Sequence, residues 1–264
     1  MYPFLRIGSL VIQTSGLALL AGLWVAMNLI EKEALRLKLN STAIINMIFY
    51  GLFGGIVGAR LIYAVQHLNT YLSNPLGMFS LNTSALNPSG GLIIGVVITY
   101  LFGRRQKLQL RPTLDALASG LAAFMVAVGV ANILSGNAYG SPSHLPWAIY
   151  LWGEFRHPTQ IYEAVAAIMI FIARKTISTE SRGTGVNFLQ VVALSAGARI
   201  FLEAFHGDSL IWLGGFRAAQ VIGLTVLVVM IYFAKQWGNL QESKTLSKDS
   251  GFKVANSKPK IERR

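Results

Sequence analysis

Seven long apolar stretches, separated by polar segments, divide the chain along its length. They cover residues 10–30, 43–65, 90–102, 116–134, 157–173, 186–205 and 218–234. Because a helix rises about 1.5 Å per residue, roughly 17 to 25 apolar residues cross about 30 Å of hydrocarbon. Most of the stretches reach this length, so the pattern predicts seven transmembrane helices. The third and fifth are short, which is typical of tilted or half-depth helices beside a water-filled cavity.

The composition agrees with a protein that is dissolved in lipid. Hydrophobic residues make up 53% of the 264 residues and charged residues only 13%. A soluble domain of this size needs far more polar surface. We therefore predict an all-α, polytopic membrane protein with about seven transmembrane helices, whose polar outer loops form a small head.

Most of the lysines and arginines fall on alternate faces of this arrangement. The segments after the first, third, fifth and seventh stretches hold Lys32, Arg36, Lys38, Arg104, Arg105, Lys107, Arg111, Arg174, Lys175, Arg182, Lys235, Lys244, Lys248, Lys253, Lys258, Lys260, Arg263 and Arg264. Basic residues are enriched in cytoplasmic loops. The amino terminus is therefore predicted to lie outside and the carboxyl terminus in the cytoplasm.

The net charge of +12 has the same origin. A nucleic-acid-binding protein needs a contiguous basic face with interleaved aromatic residues, whereas these charges are divided among four membrane-flanking segments. We therefore expect no nucleic-acid partner. After a membrane domain at residues 1–234, the sequence loses its apolar period and becomes rich in Lys, Ser and Asn. Residues 235–264 are predicted to form a basic, disordered cytoplasmic tail.

The chain contains no cysteine. This excludes a disulfide framework, a thiolate metal site and a cysteine nucleophile in the chain itself. The four histidines do not follow the HExxH spacing of zinc sites. We expect neither a metal nor a cofactor.

A polar, glycine-broken segment at residues 128–163 connects two of the apolar stretches. Such a segment is costly beside hydrocarbon unless protein or water satisfies its backbone groups, so a functional site is a natural reason for it. The segment lies on the predicted outer face, and all four histidines lie on or beside the outer loops: His67, His144, His157 and His206.

Several ionisable residues lie inside the predicted spans, namely Arg60, Asp115, Glu163, Arg199 and Glu203. Each costs about 2.5 to 3.5 kcal/mol at the bilayer centre on insertion scales. Arg199 and Glu203 are four residues apart on one helix, so they share a face and can pair. This pair is either purely structural, or Arg199 or Arg60 turns inward to hold an anionic lipid headgroup.

Four motifs in the same order resemble those of the prolipoprotein diacylglyceryl transferase family. H-P-T-Q-I-Y-E at 157–163 resembles its H-P-[ST]-Q-L-Y-E box, and S-G-G-L-I-I-G at 89–95 is similar to H-G-G-L-I-G. Residues 129–140 align with G-R-I-G-N-F-x-N-G-E-x-x-G from its arginine onward and keep Asn132, Gly136 and Gly140. R-I-F-L-E at 199–203, followed by Asp208, resembles R-F-x-x-E-F-x-R-x-P-D.

The resemblance implies a reaction in the bacterial cytoplasmic (inner) membrane, where the family consists of multi-pass proteins. The family moves the diacylglyceryl group of phosphatidylglycerol to the lipobox cysteine thiol of a lipoprotein precursor. The expected partners are phosphatidylglycerol, the precursor's signal peptide and membrane lipid. Such a site needs a base for the thiol and cationic or N–H donors for the departing phosphate.

The candidate catalytic residues are His157, His206 and Glu203, with one of the histidines as base. The candidate substrate-binding residues are Ser89, Gly90, Gly91, Asn132, Gly136, Gly140, Arg60 and Arg199. Several of these positions have a structural alternative. His157 fits a capping role, and Gly90 and Gly91 fit a tight turn as well as a phosphate-binding loop.

The sequence departs from the family pattern at four positions. Ser89, Gly129, Asn137 and His206 stand where the family has His, Arg, Glu and Arg. Loss of one preorganised donor typically lowers a rate about 10² to 10³-fold. Two interpretations therefore stay open: an active transferase with relocated charges, or a catalytically degenerate relative that binds lipid or lipoprotein precursor without transfer.

Overall fold

The structure is a computed structural model, and it describes residues 4–8, 10–73, 77, 85–176, 184–212 and 214–256. The described chain is mostly helical. Its helices are α1 (Thr14–Arg36), α2 (Ser41–Gln66), α3 (Leu68–Ser73), α4 (Pro88–Arg105), α5 (Leu110–Ser135), α6 (Thr159–Thr176), α7 (Val186–Leu202) and α8 (Ala218–Asn256). A 3₁₀ turn, Glu203–Phe205, follows α7 directly.

Five helices are long and apolar enough to cross a membrane: Thr14–Arg36, Ser41–Gln66, Leu110–Ser135, Val186–Phe205 and Ala218–Gly238. The chain is therefore a multi-pass membrane protein. The third and fifth predicted spans correspond to α4 and α6, each 18 residues long, which are not among these five. The count of seven spans and the orientation of the termini stay predictions.

Two short antiparallel hairpins qualify the all-α prediction. Strands β1 (Phe4–Ile7) and β2 (Leu10–Gln13) pair with Phe4 opposite Gln13. The first four residues of the first apolar stretch are thus a strand, which suits the β-branched residues Val11 and Ile12, and Gly8 lies in the turn with φ of +63°. Strands β3 (Ile149–Leu151) and β4 (Glu154–Arg156) pair inside the predicted polar segment.

Helix α8 extends well beyond its apolar run. It continues to Asn256, so residues 235–256 are helical where the composition favours a disordered tail. Lys, Gln, Glu and Leu are good helix formers, and proline is absent until Pro259. Residues 257–264 lie outside the described residues. The division of the chain at residue 234 stays a prediction.

The described chain forms two compact units, residues 31–113 and residues 1–30 with 114–264. Within the smaller unit, α2 and α4 approach each other at glycines. A Cβ atom on Gly91 would lie 2.8 Å from the Gly55 carbonyl oxygen, and one on Gly95 would lie 3.0 Å from that of Gly51. Small residues permit this close packing of membrane helices.

Within the larger unit, α5, α6 and α7 share an apolar core. Ala118 and Ala122 of α5 pack with Ile170 of α6 and Val191 of α7, and all four are buried. A buried carboxylate, Asp115, accepts hydrogen bonds from the backbone N–H groups of Gly185 (2.5 Å) and Phe188 (3.3 Å). It thereby satisfies free N–H groups at the start of α7. This capping fixes α7, which carries Arg199.

Candidate functional site

Arg199 near the end of α7 stands between two carboxylates. Its Nη1 atom lies 2.7 Å from Glu163 Oε1 of α6, and its Nη2 atom lies 2.8 Å from Glu203 Oε2. The predicted pairing of Arg199 with Glu203 is therefore confirmed. Glu163 belongs to a different helix, α6, and lies 36 residues from Arg199 in the sequence.

His206 completes this charged cluster. Its Nδ1 atom lies 3.0 Å from the Leu202 carbonyl oxygen, which can only accept, so Nδ1 carries a proton. Nε2 lies 3.1 Å from Glu163 Oε1. Burial lowers the pKa of His206, but the hydrogen bonds to Glu163 and to the Leu202 backbone outweigh it and raise the pKa above the ordinary 6.5.

The charged cluster consists of Glu163, Arg199, Glu203 and His206, and differences in burial divide it into two pairs. The side chains of Glu203 and His206 are each only 1% exposed, whereas that of Arg199 is 42% exposed and that of Glu163 is 19% exposed. Arg199 and Glu163 are therefore the members that a bound molecule can touch.

Arg199 and Glu163 border an apolar groove of about 190 Å³ between α5, α6 and α7. The rest of this α5–α7 groove is lined by Met125, Val128, Gly129, Ala166, Ala167, Ile170, Ser195, Ala198 and Leu202. An apolar cavity with a few convergent polar groups is the usual form of a small-molecule site. The arrangement suits an amphiphile with a charged or polar head and a hydrocarbon tail.

Helix α5 contributes Asn132 and Gly129 to the same region. The Asn132 side-chain amide lies 3.3 Å from Glu163 Oε2 and donates to it. One turn earlier, a Cβ atom on Gly129 would lie 2.8 Å from the Cα atom of Ala164. Gly129 therefore permits close contact between α5 and α6, and a larger side chain there would push the helices apart.

The loop after α5 is joined to His206 by backbone pairing. Gly140 and His206 form an isolated antiparallel bridge, and the Gly207 N–H donates to the Tyr139 carbonyl oxygen at 3.0 Å. A Cβ atom on Gly140 would lie 2.3 Å from the His157 carbonyl oxygen, so only glycine fits this crossing. Gly136 adopts φ of +77°, a conformation that favours glycine.

His157 lies in an aromatic cluster beside this loop. Its ring centroid is 5.2 Å from that of Phe205 and 6.3 Å from that of Tyr162. Its Nδ1 atom is buried and makes no hydrogen bond within the described residues. His157 thus belongs to the same unit as the charged cluster, and its ring packs against aromatic side chains.

The four other predicted residues belong to the smaller unit and are described within it. Arg60 donates to the carbonyl oxygens of Gly77 (3.1 Å) and Ala85 (3.3 Å). The side chain of Asn87 caps α4 by accepting from the Gly90 N–H at 2.8 Å, and the Ser89 hydroxyl donates to the same oxygen. Gly91 packs against Ala59. Arg60 therefore connects α2 to the loop before α4, and Asn87 caps α4.

Two residues in or beside the cluster, Glu163 and Arg217, were absent from the candidate residues. Glu163 is an ionisable residue inside a predicted span and ends the H-P-T-Q-I-Y-E box, a signal that could have identified it. Arg217 precedes α8, and its Nη1 atom donates to the carbonyl oxygens of Glu203 and His206 and to the Ser209 hydroxyl. Its sequence position alone gave no sign that it holds the turn carrying His206.

The chain matches a known protein family. Residues 3–235 match the family model described as prolipoprotein diacylglyceryl transferase. The chain is similar to the phosphatidylglycerol–prolipoprotein diacylglyceryl transferase of Clostridioides difficile (strain 630), with 26% identity over 84% of this chain and 90% of the relative. The corresponding protein of Clostridium botulinum (strain Langeland) is 25% identical over 86% of this chain and 93% of the relative.

A third relative carries the same name in Finegoldia magna, with 25% identity over 80% of this chain and 84% of the relative. The family match extends from the first strand through the apolar part of α8 and includes every residue of the charged cluster. The chain therefore belongs to the prolipoprotein diacylglyceryl transferase family.

Proposed function

We propose that this protein transfers the diacylglyceryl group of phosphatidylglycerol to the cysteine thiol of a lipoprotein precursor in the bacterial inner membrane. The observation that supports this most directly is the position of Arg199, a partly exposed guanidinium at the edge of the apolar α5–α7 groove. The names of the relatives supply the substrates.

Arg199 has the chemistry to hold the phosphate of the lipid. A guanidinium has five N–H donors in a rigid fork, which matches phosphate geometry, and the two carboxylates leave several of them available. The groove then accommodates part of the apolar tail. As the phosphate departs, negative charge grows on its oxygens, and a fixed cation there stabilises the transition state.

The reaction forms one bond and breaks one. The cysteine sulfur bonds to the terminal glycerol carbon of the diacylglyceryl group, and the bond from that carbon to the phosphate oxygen breaks. The electrons of the broken bond leave with glycerol phosphate. The thiol, whose ordinary pKa is about 8.5, must lose its proton to a nearby base. Glu163 is the exposed carboxylate of the cluster and is our candidate acceptor.

The burial of Glu203 and His206 favours positioning roles for both. Glu203 orients Arg199 through the 2.8 Å ion pair, and His206 orients Glu163 through the 3.1 Å contact. A protonated His206 also supplies positive charge where the family motif has arginine. His157 stays an alternative base, since its Nδ1 atom has no partner within the described residues.

The alternative function is binding of lipid or precursor without transfer. Gly129 favours this alternative. It stands where the family has arginine, and the space that an arginine side chain would need is filled by the close contact between α5 and α6. The alternative is also favoured by the balance of charge, since two carboxylates already neutralise Arg199.

One assay separates the two functions. The full chain is reconstituted with acyl-labelled phosphatidylglycerol and a lipobox peptide, and both label transfer and lipid binding are measured. Transfer that disappears in Arg199→Gln but persists in Arg36→Gln, a surface arginine paired with Glu33, supports the transferase. Lipid binding without transfer in the unaltered chain supports the alternative and contradicts our proposal.

A further inference from the structure

The hairpin of β3 and β4 exposes a group of large aromatic side chains. We use the term aromatic hairpin for residues 147–156, in which Trp147, Tyr150, Trp152 and Phe155 are each more than half exposed. Tyr150 and Phe155 are direct cross-strand partners, and their rings meet edge to face with centroids 5.4 Å apart. Aromatic surface of this kind in water usually indicates an interaction site.

The polar atoms of the two tryptophans are already used inside the protein. Trp147 Nε1 donates to the Tyr162 hydroxyl at 2.8 Å, and Trp152 Nε1 donates to the Gly136 carbonyl oxygen at 3.2 Å. Tryptophan combines a large apolar ring with one N–H donor. Because the donors are satisfied internally, the parts of these rings that stay exposed are hydrocarbon. This favours a hydrocarbon partner over a polar one.

The aromatic hairpin is continuous with an exposed apolar face of α6. The hydrogen bond from Trp147 to Tyr162 joins the aromatic hairpin to the first turn of α6. Along α6, Ile161, Val165 and Ile168 are exposed. In a multi-pass membrane protein, exposed aliphatic side chains on such a helix contact acyl chains, and aromatic residues concentrate where that surface meets the headgroups.

The opposite side of the hairpin is bonded to the candidate site. Arg156 lies on the strand face away from Tyr150 and Phe155, and it donates to the Gly140 carbonyl oxygen at 3.3 Å. Gly140 is in turn bridged to His206. The hairpin therefore connects an apolar outer surface to the turn that completes the charged cluster.

We propose that the aromatic hairpin is inserted in the interfacial layer of the bilayer, with Tyr150 and Phe155 in contact with acyl chains. The hairpin then belongs to the lipid-facing surface and does not project into water. This inference does not depend on the transfer reaction, and it holds for either orientation of the chain in the membrane.

The absence of cysteine allows a direct test on the full chain. Tyr150→Cys and Phe155→Cys each accept a single nitroxide label, and the proteins are placed in bilayer discs of phosphatidylglycerol and phosphatidylethanolamine. Collision with oxygen, which partitions into hydrocarbon, is compared with collision with a water-soluble nickel chelate. Ile161→Cys on α6 serves as the lipid reference, and the exposed Asp208→Cys serves as the polar reference.

We expect labels at positions 150 and 155 to collide preferentially with oxygen, as the label at 161 does, and the label at 208 to collide preferentially with the chelate. Labels at 150 and 155 that match 208 would place the hairpin in water and overturn the proposal. Labels protected from both reagents, or broadened by a second label nearby, would show that protein covers it, and this also overturns the proposal.

A second measurement leaves the strands unaltered. In the variant Trp24→Phe, Trp212→Phe, Trp237→Phe, the only tryptophans left are Trp147 and Trp152, and their emission is excited selectively over that of tyrosine. We expect brominated acyl chains to quench this emission and iodide in the aqueous phase to leave it unchanged. Quenching by iodide alone contradicts the insertion, whatever the labelled variants show.

Discussion

Two arginines inside predicted spans, Arg60 and Arg199, have opposite surroundings. Arg60 of α2 donates to the backbone carbonyl oxygens of Gly77 and Ala85. Arg199 of α7 meets the carboxylates of Glu163 and Glu203. From the sequence alone, the two arginines are equal candidates for binding a lipid headgroup, because both are costly in a membrane and both carry the same fork of donors.

We propose that this difference separates a structural arginine from one that binds substrate. The carbonyl oxygens that accept from Arg60 do not titrate, and these two hydrogen bonds connect α2 to a loop. The partners of Arg199 are ionisable, and its side chain stays 42% exposed beside the α5–α7 groove. A cation in such surroundings can exchange protein partners for a ligand. The predictions below follow from this contrast and are given in order of decreasing expected effect.

The largest effect is expected for Arg199→Gln. Loss of the guanidinium removes the donor for the departing phosphate, and transfer should fall by about 10² to 10³-fold. It also leaves the buried carboxylate of Glu203 unpaired, which costs about 3–5 kcal/mol of stability. Label transfer and thermal unfolding in detergent measure the two effects. The double variant Arg199→Gln, Glu203→Gln should regain stability without regaining transfer; recovery of both would contradict the role of Arg199.

The second largest effect is a loss of stability on substitution of Gly129. Since a Cβ atom there would lie 2.8 Å from the Cα atom of Ala164, Gly129→Ala should cost about 1–3 kcal/mol by overpacking. Gly129→Arg should cost more and should not restore a family-like site. Gly197→Ala is the matched control, because nothing lies within 4 Å of a Cβ atom at that position. Higher transfer by Gly129→Arg with unchanged stability would show that α5 and α6 can separate to admit an arginine.

A smaller effect is expected for Arg60→Gln. Each hydrogen bond from a charged group contributes about 1.5–3 kcal/mol, and glutamine can replace only part of the two that Arg60 donates, so the variant should lose stability of about this order or somewhat more. Transfer by the folded fraction should stay close to that of the unaltered protein. Rates are compared after correction for the folded fraction at the assay temperature. A loss of transfer as large as that of Arg199→Gln would remove the contrast between the two arginines.

The smallest effect is a pH dependence that originates at His206. Its pKa is raised in the folded protein, so its stabilising contribution is fully present below the unfolded value of 6.5 and is lost as pH rises through the higher folded pKa. The melting temperature should therefore decrease gradually above pH 6.5. His206→Arg should remove this dependence, since arginine does not titrate there. His67→Gln should retain it; an equal change in both variants would place its origin elsewhere.

The local parts of the site are predictable from sequence. Arg199 and Glu203 are four residues apart on one helix, and that spacing brings them together whatever the rest of the chain does. Asn132 was a candidate from its motif. Glu163 was not, although it has more recorded partners in the cluster than Asn132. Its partners lie 31, 36 and 43 residues away, on helices whose mutual packing has no local signature.

The same distinction holds for the fold. The β1–β2 hairpin was hidden because four residues of strand inside an apolar run have too few positions to show alternation. Gly51 and Gly55 of α2 meet Gly91 and Gly95 of α4, and only the coordinates showed that these two helices pair.

The sequence by itself determined the solvent of this protein, the positions of most helices and the local pair of Arg199 and Glu203, because hydropathy and helical spacing act over a few residues. Only the tertiary structure decided that Glu163 and His206 join that pair and that Arg60 binds a loop. It also decided that α6 occupies the space beside Gly129. Those outcomes depend on which helices pack together, and packing is decided by shape and burial among residues that are far apart in the chain.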